Sequence, residues 1–160
     1  MNLFKSIKIK LGFGTNAERI MAWSCSDDLK VYELIGLLSP SAQRQFACDE
    51  ADRALLHVTN PDPQALNAIK VARAYLTGNA TADEMLIAQM VANQAYLEAY
   101  YGESYYDERL TSPYYESAVM AANQDPRMAA IRAATGSAYW SPKGERARQV
   151  KTLFEMANQR

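Results

Sequence analysis

Alanine and larger apolar residues recur every three or four positions along most of this chain, the spacing that lines one face of an α-helix. From 40 to 58, Phe46, Ala47, Ala51, Ala54, Leu55 and Val58 form one stripe. A second runs from 63 to 77 through Leu66, Ile69, Ala72 and Leu76, widened by Val71 and Tyr75. Met85, Ala88, Ala92, Ala95 and Ala99 make a third, and Val150, Leu153, Phe154 and Ala157 close the chain. Small residues dominate these faces, so neighbouring helices can approach closely. Strand-like alternation is confined to Ser6 through Leu11.

Start and stop signals frame the stripes. Ser39-Pro40, Ser112-Pro113, Asp125-Pro126 and Ser141-Pro142 each join a capping side chain to a proline suited to the first helical turn. Asn60-Pro61-Asp62-Pro63 offers a further start, and Thr81 with Glu84 spells a capping box. Gly78 and Gly102 follow helical stretches as left-handed cap glycines do. The starts at 112, 125 and 141 open short alanine-rich segments, spaced too closely and irregularly for the standard helical repeats of roughly 33–47 residues. These marks predict an all-α protein: a single compact, alanine-rich domain of seven or eight short helices over 15–160, preceded by a basic arm, 1–14.

The arm places Leu3, Phe4, Ile7 and Leu11 on one helical face beside Lys5 and Lys8, a weak version of a membrane-surface helix. Docking on the body or fraying is the stronger expectation for it, and Gly12-Phe13-Gly14-Thr15 reads as the hinge between arm and body. No secretory signal is visible there, because charge interrupts every apolar pair.

Composition narrows the classes. Apolar residues make up 49% of the 160 positions and charged residues 22%, enough to bury a core and inconsistent with disorder as the main state. A net charge of -1 excludes a bulk polycation that coats nucleic acid. Cys25 and Cys48 stand in no metal or redox spacing, so both are expected as reduced core thiols and the chain as cytoplasmic.

Candidate chemistry is sparse. His57 is the single imidazole, and Cys48, nine positions earlier, would lie about two and a half turns away along one helix. His57 is expected to complement the end of a helix. The Gly12–Thr15 stretch lacks the lysine and the length of a phosphate loop. Asp49, Glu50 and Asp52 crowd together but lack the Glu-x-x-His elements of a bundle di-metal site, so a solvated helix face is expected. No catalytic, cofactor-binding or metal-binding residue is assigned, no cofactor is expected, and an enzyme is the weaker class.

The tyrosines are the compositional anomaly. Seven of the ten fall between 96 and 115: Tyr96, Tyr100, Tyr101, Tyr105, Tyr106, Tyr114 and Tyr115. Acids interleave with them. Tyrosine offers a large rigid area with a polar tip, which suits contact surfaces. Two readings compete, a core of aromatic fillers against small alanines and a partner-binding face. The latter makes Tyr100, Tyr101, Tyr105 and Tyr106 anchors and Glu103, Asp107 and Glu108 steering charges, with Gly102 breaking the helix so that a loop presents the second pair. Charge is also partitioned: seven acids against Arg109 between 83 and 116, seven bases against two acids between 127 and 160. The two regions can face each other in the fold, or the acidic one can dock a basic protein partner.

Residues Ser41–Asp49, the run Asn60–Glu84 with its Ala72-Arg73-Ala74-Tyr75-Leu76-Thr77-Gly78 core, and the closing Ala147–Phe154 resemble an alanine-rich helical group met in phage and bacterial genomes and labelled as immunity proteins. The resemblance is loose over 41–160 and best over 60–84. It brings no catalytic residues, and it implies a small intracellular protein that inhibits or modulates another protein by binding it. The alternative is a helical module holding a small ligand or nucleotide in a tyrosine-lined pocket. A nucleic-acid partner is disfavoured by the charge, and self-association is open to either reading.

Overall fold

Proline and capping side chains set where the helices begin. The computed structural model describes residues 14–102, 112–139 and 142–159. Among them are eight helices and no strand: α1 (Asn16–Met21), α2 (Asp27–Leu37), α3 (Pro40–Leu55), α4 (Pro63–Leu76), α5 (Ala82–Gly102), α6 (Ser112–Ala121), α7 (Pro126–Ser137) and α8 (Pro142–Ala157). Ser39 Oγ accepts from the Ala42 amide, Asp62 from Gln64, and Asp125 from Arg127 and Met128. Each such cap is worth about 1 kcal/mol. The Thr81–Glu84 box is reciprocal, with the Glu84 amide donating to Thr81 Oγ1 at 3.2 Å and the Thr81 amide to Glu84 Oε2 at 2.7 Å. Thr15, expected in the hinge, instead forms a second box with Glu18 and starts α1. After α4, Gly78 turns left-handed at φ +73°, and the Gly78 and Asn79 amides donate to the Tyr75 and Ala74 carbonyls. Gly102 behaves otherwise: it is the last residue of α5, so the helix carries Tyr100 and Tyr101 on its final turn.

The helices pack as a single domain around α3. On one side α3 meets α4 and α6, with α5 laid across both. There Cys48, Ala51, Ala54 and Leu55 pack with Ala65, Ala68, Ile69, Ala72, Met85, Ala92, Tyr114, Tyr115 and Ala118. On the other side Phe46 and Ala47 join Val31, Leu34 and Ile35 of α2, four alanines of α7, and Val150 and Leu153 of α8. Alanine at the contacts lets backbones come close. At Gly136 the approach is closest, since a Cβ there would collide with Ser117 Oγ and the Pro113 carbonyl.

Two expectations from the sequence change here. Leu66, read as part of the inner stripe of α4, is exposed, and Ala65, Ala68, Ile69 and Ala72 form the buried face instead. Cys48 is buried as expected, whereas Cys25 lies half-buried in the α1–α2 connection.

Buried polar side chains of α3 tie down its neighbours. Gln43 Nε2 donates to the Ile35 and Leu38 carbonyls at the end of α2. The Arg44 guanidinium donates to the carbonyls of Ala121, Asn123 and Gln124 beyond α6, satisfying acceptors that a helix end leaves free. Glu50 overturns the expectation of a solvated acidic face, because it is fully buried. The reason is register: Gln43, Ala47, Glu50 and Ala54 fall four, three and four apart, so Glu50 shares the core stripe while Asp49 and Asp52 flank it. Its carboxylate accepts from Ser137 Oγ and Gln149 Nε2, both at 2.6 Å, and from the Arg148 guanidinium. Arg148 also reaches Glu145, which Arg53 holds from α3, and Arg146 pairs with Asp28 of α2. Asp49 and Asp52 are clasped by Arg73 of α4, at 2.8 and 2.5 Å.

Candidate protein-binding face

Helix α5 is apolar around nearly its whole circumference, and a helix packed against two neighbours can bury only part of that. Met85, Ala88, Ala92 and Ala95 turn inward against α4 and α6. On the opposite side Leu86, Ile87, Met90 and Val91 face out, with Ile87 60% and Met90 67% exposed. The last turn adds Tyr100 at 56% and Tyr101 at 79%. Their rings meet edge to face at 5.3 Å and 82°, and Tyr96 lies 6.0 Å from Tyr100. Stacking of this kind holds the side chains in place before any partner arrives, which lowers the entropy cost of binding.

Between α4 and α5 runs a groove of about 360 Å³, lined by Asn67, Lys70 and Val71 on one side and Glu84, Ile87 and Val91 on the other. Every charged residue of α5 is an acid: Asp83, Glu84 and Glu98. Gln94 Nε2 donates to Glu98 at 2.9 Å and fixes that carboxylate along the outer side. The acidic 83–116 stretch meets the basic 127–160 stretch, among the described residues, through Glu116 and Arg132 at 3.5 Å. Arg146 and Arg148 spend their charge on Asp28, Glu50 and Glu145.

The expected anchors therefore divide. Tyr100 and Tyr101 are exposed on α5; Glu103, Tyr105, Tyr106, Asp107 and Glu108 lie outside the described residues. Tyr114 and Tyr115 follow the core reading and are buried. Tyr115 Oη accepts from the Asp62 amide at 3.2 Å. Tyr114 stacks on the His57 ring at 5.2 Å, and its hydroxyl has no hydrogen-bond partner among the described residues. Burial, reinforced by Tyr139, raises the Tyr114 phenol above its ordinary range.

The other candidate groups have packing and hydrogen-bond partners within the fold. His57 follows α3, where its amide donates to the Ala54 carbonyl and its ring serves as a lid on Tyr114. Burial pushes the Cys48 thiol up to about 11, against the pull of Arg73 and Arg44, so it is protonated at neutral pH. No group of three or more His, Cys, Asp or Glu side chains among the described residues could hold a metal ion. No helix among them is long and apolar enough to cross a membrane. A second groove, of about 490 Å³, lies between Tyr32 and α7, with the Arg127 guanidinium 4.9 Å over the Tyr32 ring.

Sequence reasoning missed Leu86, Ile87, Met90 and Val91. The signal was present: α5 has large apolar residues on the side opposite its alanine stripe. Compared with known protein families, curated proteins and solved structures, the chain gives no match.

Proposed function

We propose that this protein is a non-catalytic binding module that inhibits or modulates another protein through the outer face of α5, in the manner of an immunity or counter-defence protein. The observation that carries the reading is the exposed stripe from Leu86 to Tyr101, ending in two mutually braced tyrosines. At usual side-chain areas these residues expose on the order of 600 Å² of apolar surface, the upper range for a monomer without a partner. Tyrosine anchors beside Glu98, on a helix whose charged residues are all acids, suit a basic partner: the rings supply the buried contact, and the acids along the helix steer the approach.

The test is site-specific photo-crosslinking in cells of the natural host, with the reactive residue at Tyr101 or at exposed Lys151 of α8. A discrete protein adduct is expected from position 101 and none from 151. With the reactive residue at 101, Tyr100→Ala should abolish the adduct while leaving thermal unfolding unchanged, because that side chain is exposed. Equal crosslinking at both positions, or none at 101, would refute the assignment.

A further inference from the structure

The outer stripe of α5 has a regularity beyond being apolar. Ile87, Met90, Gln94, Leu97 and Tyr101 stand three, four, three and four residues apart, the repeat of a coiled-coil seam. The strip they form is opposite the buried Met85 and Ala92, with Leu97 half-buried and the other four exposed. We infer that α5 pairs with α5 of a second copy of this chain, antiparallel across a two-fold axis. The inference rests on the outer face of α5 being a contact surface, as above, and names a different occupant for its middle.

Three features select a second copy. Seams of this repeat are self-complementary, so Ile87 meets Leu97 of the other copy and Met90 meets its Gln94, each knob between residues of the facing helix. Gln94 costs some stability and fixes the register. Area is also sufficient: two such faces bury on the order of 1,200 Å², the lower edge of specific interfaces.

Charge then sets the direction. A parallel pair would set Asp83, four residues before Ile87 and so on the seam itself, against Asp83 of the other copy, with nothing basic on α5 to offset it. An antiparallel pair with this register sets the two Asp83 residues about 27 Å apart along the axis. It also keeps the α4 side of both copies on the same side of the axis. Glu98, one heptad after Val91 on that flank, then comes over the α4–α5 groove of the other copy, where it meets Glu84 as well as exposed Lys70. This flank therefore adds little net attraction, and the apolar seam carries the pairing. Tyr101 is covered at each end of the seam, opposite Asp83, and Tyr100 stands outside it.

Sedimentation equilibrium of the full-length chain at micromolar concentration tests this. Twice the 17.9 kDa of one chain is expected, and Met90→Glu should raise the dissociation constant at least a hundredfold with an unchanged circular dichroism spectrum. Lys151→Glu should remain dimeric. With Cys25 replaced by serine, Ile87→Cys combined with Leu97→Cys should form an interchain disulfide, and Ile87→Cys alone should not. A monomer at tens of micromolar, a dimer indifferent to Met90→Glu, or self-crosslinking of Ile87→Cys alone overturns the inference. A monomer that still crosslinks a different protein from Tyr101 overturns self-pairing and leaves the reading above standing. A dimer with no foreign adduct supports self-pairing and refutes that reading.

Discussion

Replacing Glu50 by alanine tests how the C-terminal helix is held. The carboxylate is fully buried and gathers one donor from α7 and two from α8: Ser137 Oγ, Gln149 Nε2 and the Arg148 guanidinium. Removing one partner of a buried ion pair costs about 3–5 kcal/mol when the other charge is left alone. Here it is not left alone. Arg148 keeps Glu145, and Gln149 keeps the Ala134 carbonyl at 3.0 Å and Ser137 Oγ at 2.9 Å. What is lost is three hydrogen bonds to a charged acceptor and the packing of the removed atoms. Relief of the desolvation of Glu50 offsets part of that loss. A net cost of about 3 kcal/mol follows, lowering Tm by roughly 6–12 °C in a chain of this size.

Urea unfolding followed by circular dichroism measures it, and the slope m should stay constant because the folded state keeps its extent. Glu50→Gln, which preserves volume and one good acceptor, should cost about half as much. A loss below about 0.5 kcal/mol for Glu50→Ala would mean that the other contacts of α8 hold it without the carboxylate, and the argument would fail. A larger loss for Gln than for Ala would fail it too, since burial of an unpaired amide would then outweigh the lost carboxylate.

Other perturbations test other contacts. Gly136→Ala should destabilise by about 2–3 kcal/mol because a Cβ collides with Ser117 and Pro113, whereas Gly36→Ala, with only the end of Arg127 nearby at 3.4 Å, should gain about 0.5 kcal/mol from helix propensity; equal effects in thermal melts would refute the close α6–α7 approach. Tyr114→Phe should stabilise by about 1 kcal/mol, since it removes a buried hydroxyl without a partner, and a loss of similar size would show that the hydroxyl is bonded. A thiol reagent at pH 8 should titrate Cys25 in the native protein and Cys48 only after unfolding, because burial keeps the Cys48 thiol protonated to about 11. Burial disfavours the Glu145 carboxylate, yet hydrogen bonds from Arg53 and Arg148 outweigh that and hold it below its ordinary 4.5. Its stabilisation is therefore present above pH 4.5 and lost as pH falls through the folded value. Glu145→Gln should be less stable than the parent at pH 7, and the gap should shrink as pH falls below 4.5; a gap that does not change with pH would refute the pairing.

Helix class and most boundaries were legible because their causes are local. A capping oxygen and a proline act within one turn, so Ser39-Pro40, Asp62-Pro63, Thr81–Glu84 and Asp125-Pro126 each mark a start that the fold uses. The Thr15–Glu18 box has the same chemistry and was hidden only by the glycines before it. The burial of Glu50 was harder to see. Its position on the alanine stripe is readable, but a buried carboxylate requires donors, and those come from residues 87 and 99 positions away. Such pairings belong to the tertiary fold and leave no mark in a local pattern.

The outer face of α5 was missed for a different physical reason. The stripe of Met85, Ala88, Ala92 and Ala95 is buried as its spacing implies, but size normally argues for burial, so nothing local marks Leu66, Leu86, Ile87 and Met90 as exposed. In this fold the order is inverted, because α4 and α5 approach their neighbours through Ala65, Ala68, Ala72, Ala88, Ala92 and Ala95. Close backbones leave no room between them for longer side chains, which are displaced to the outside. The same displacement gathers large apolar residues on one helix at heptad spacing, next to a pair of braced tyrosines. A surface of that composition costs free energy in water unless something covers it, about 25 cal/mol per Å² left exposed. The alanine core and the exposed stripe are thus two consequences of one packing choice. Substituting a buried alanine such as Ala92 by leucine should disturb both, pushing α5 away from α4 and α6 and turning the stripe.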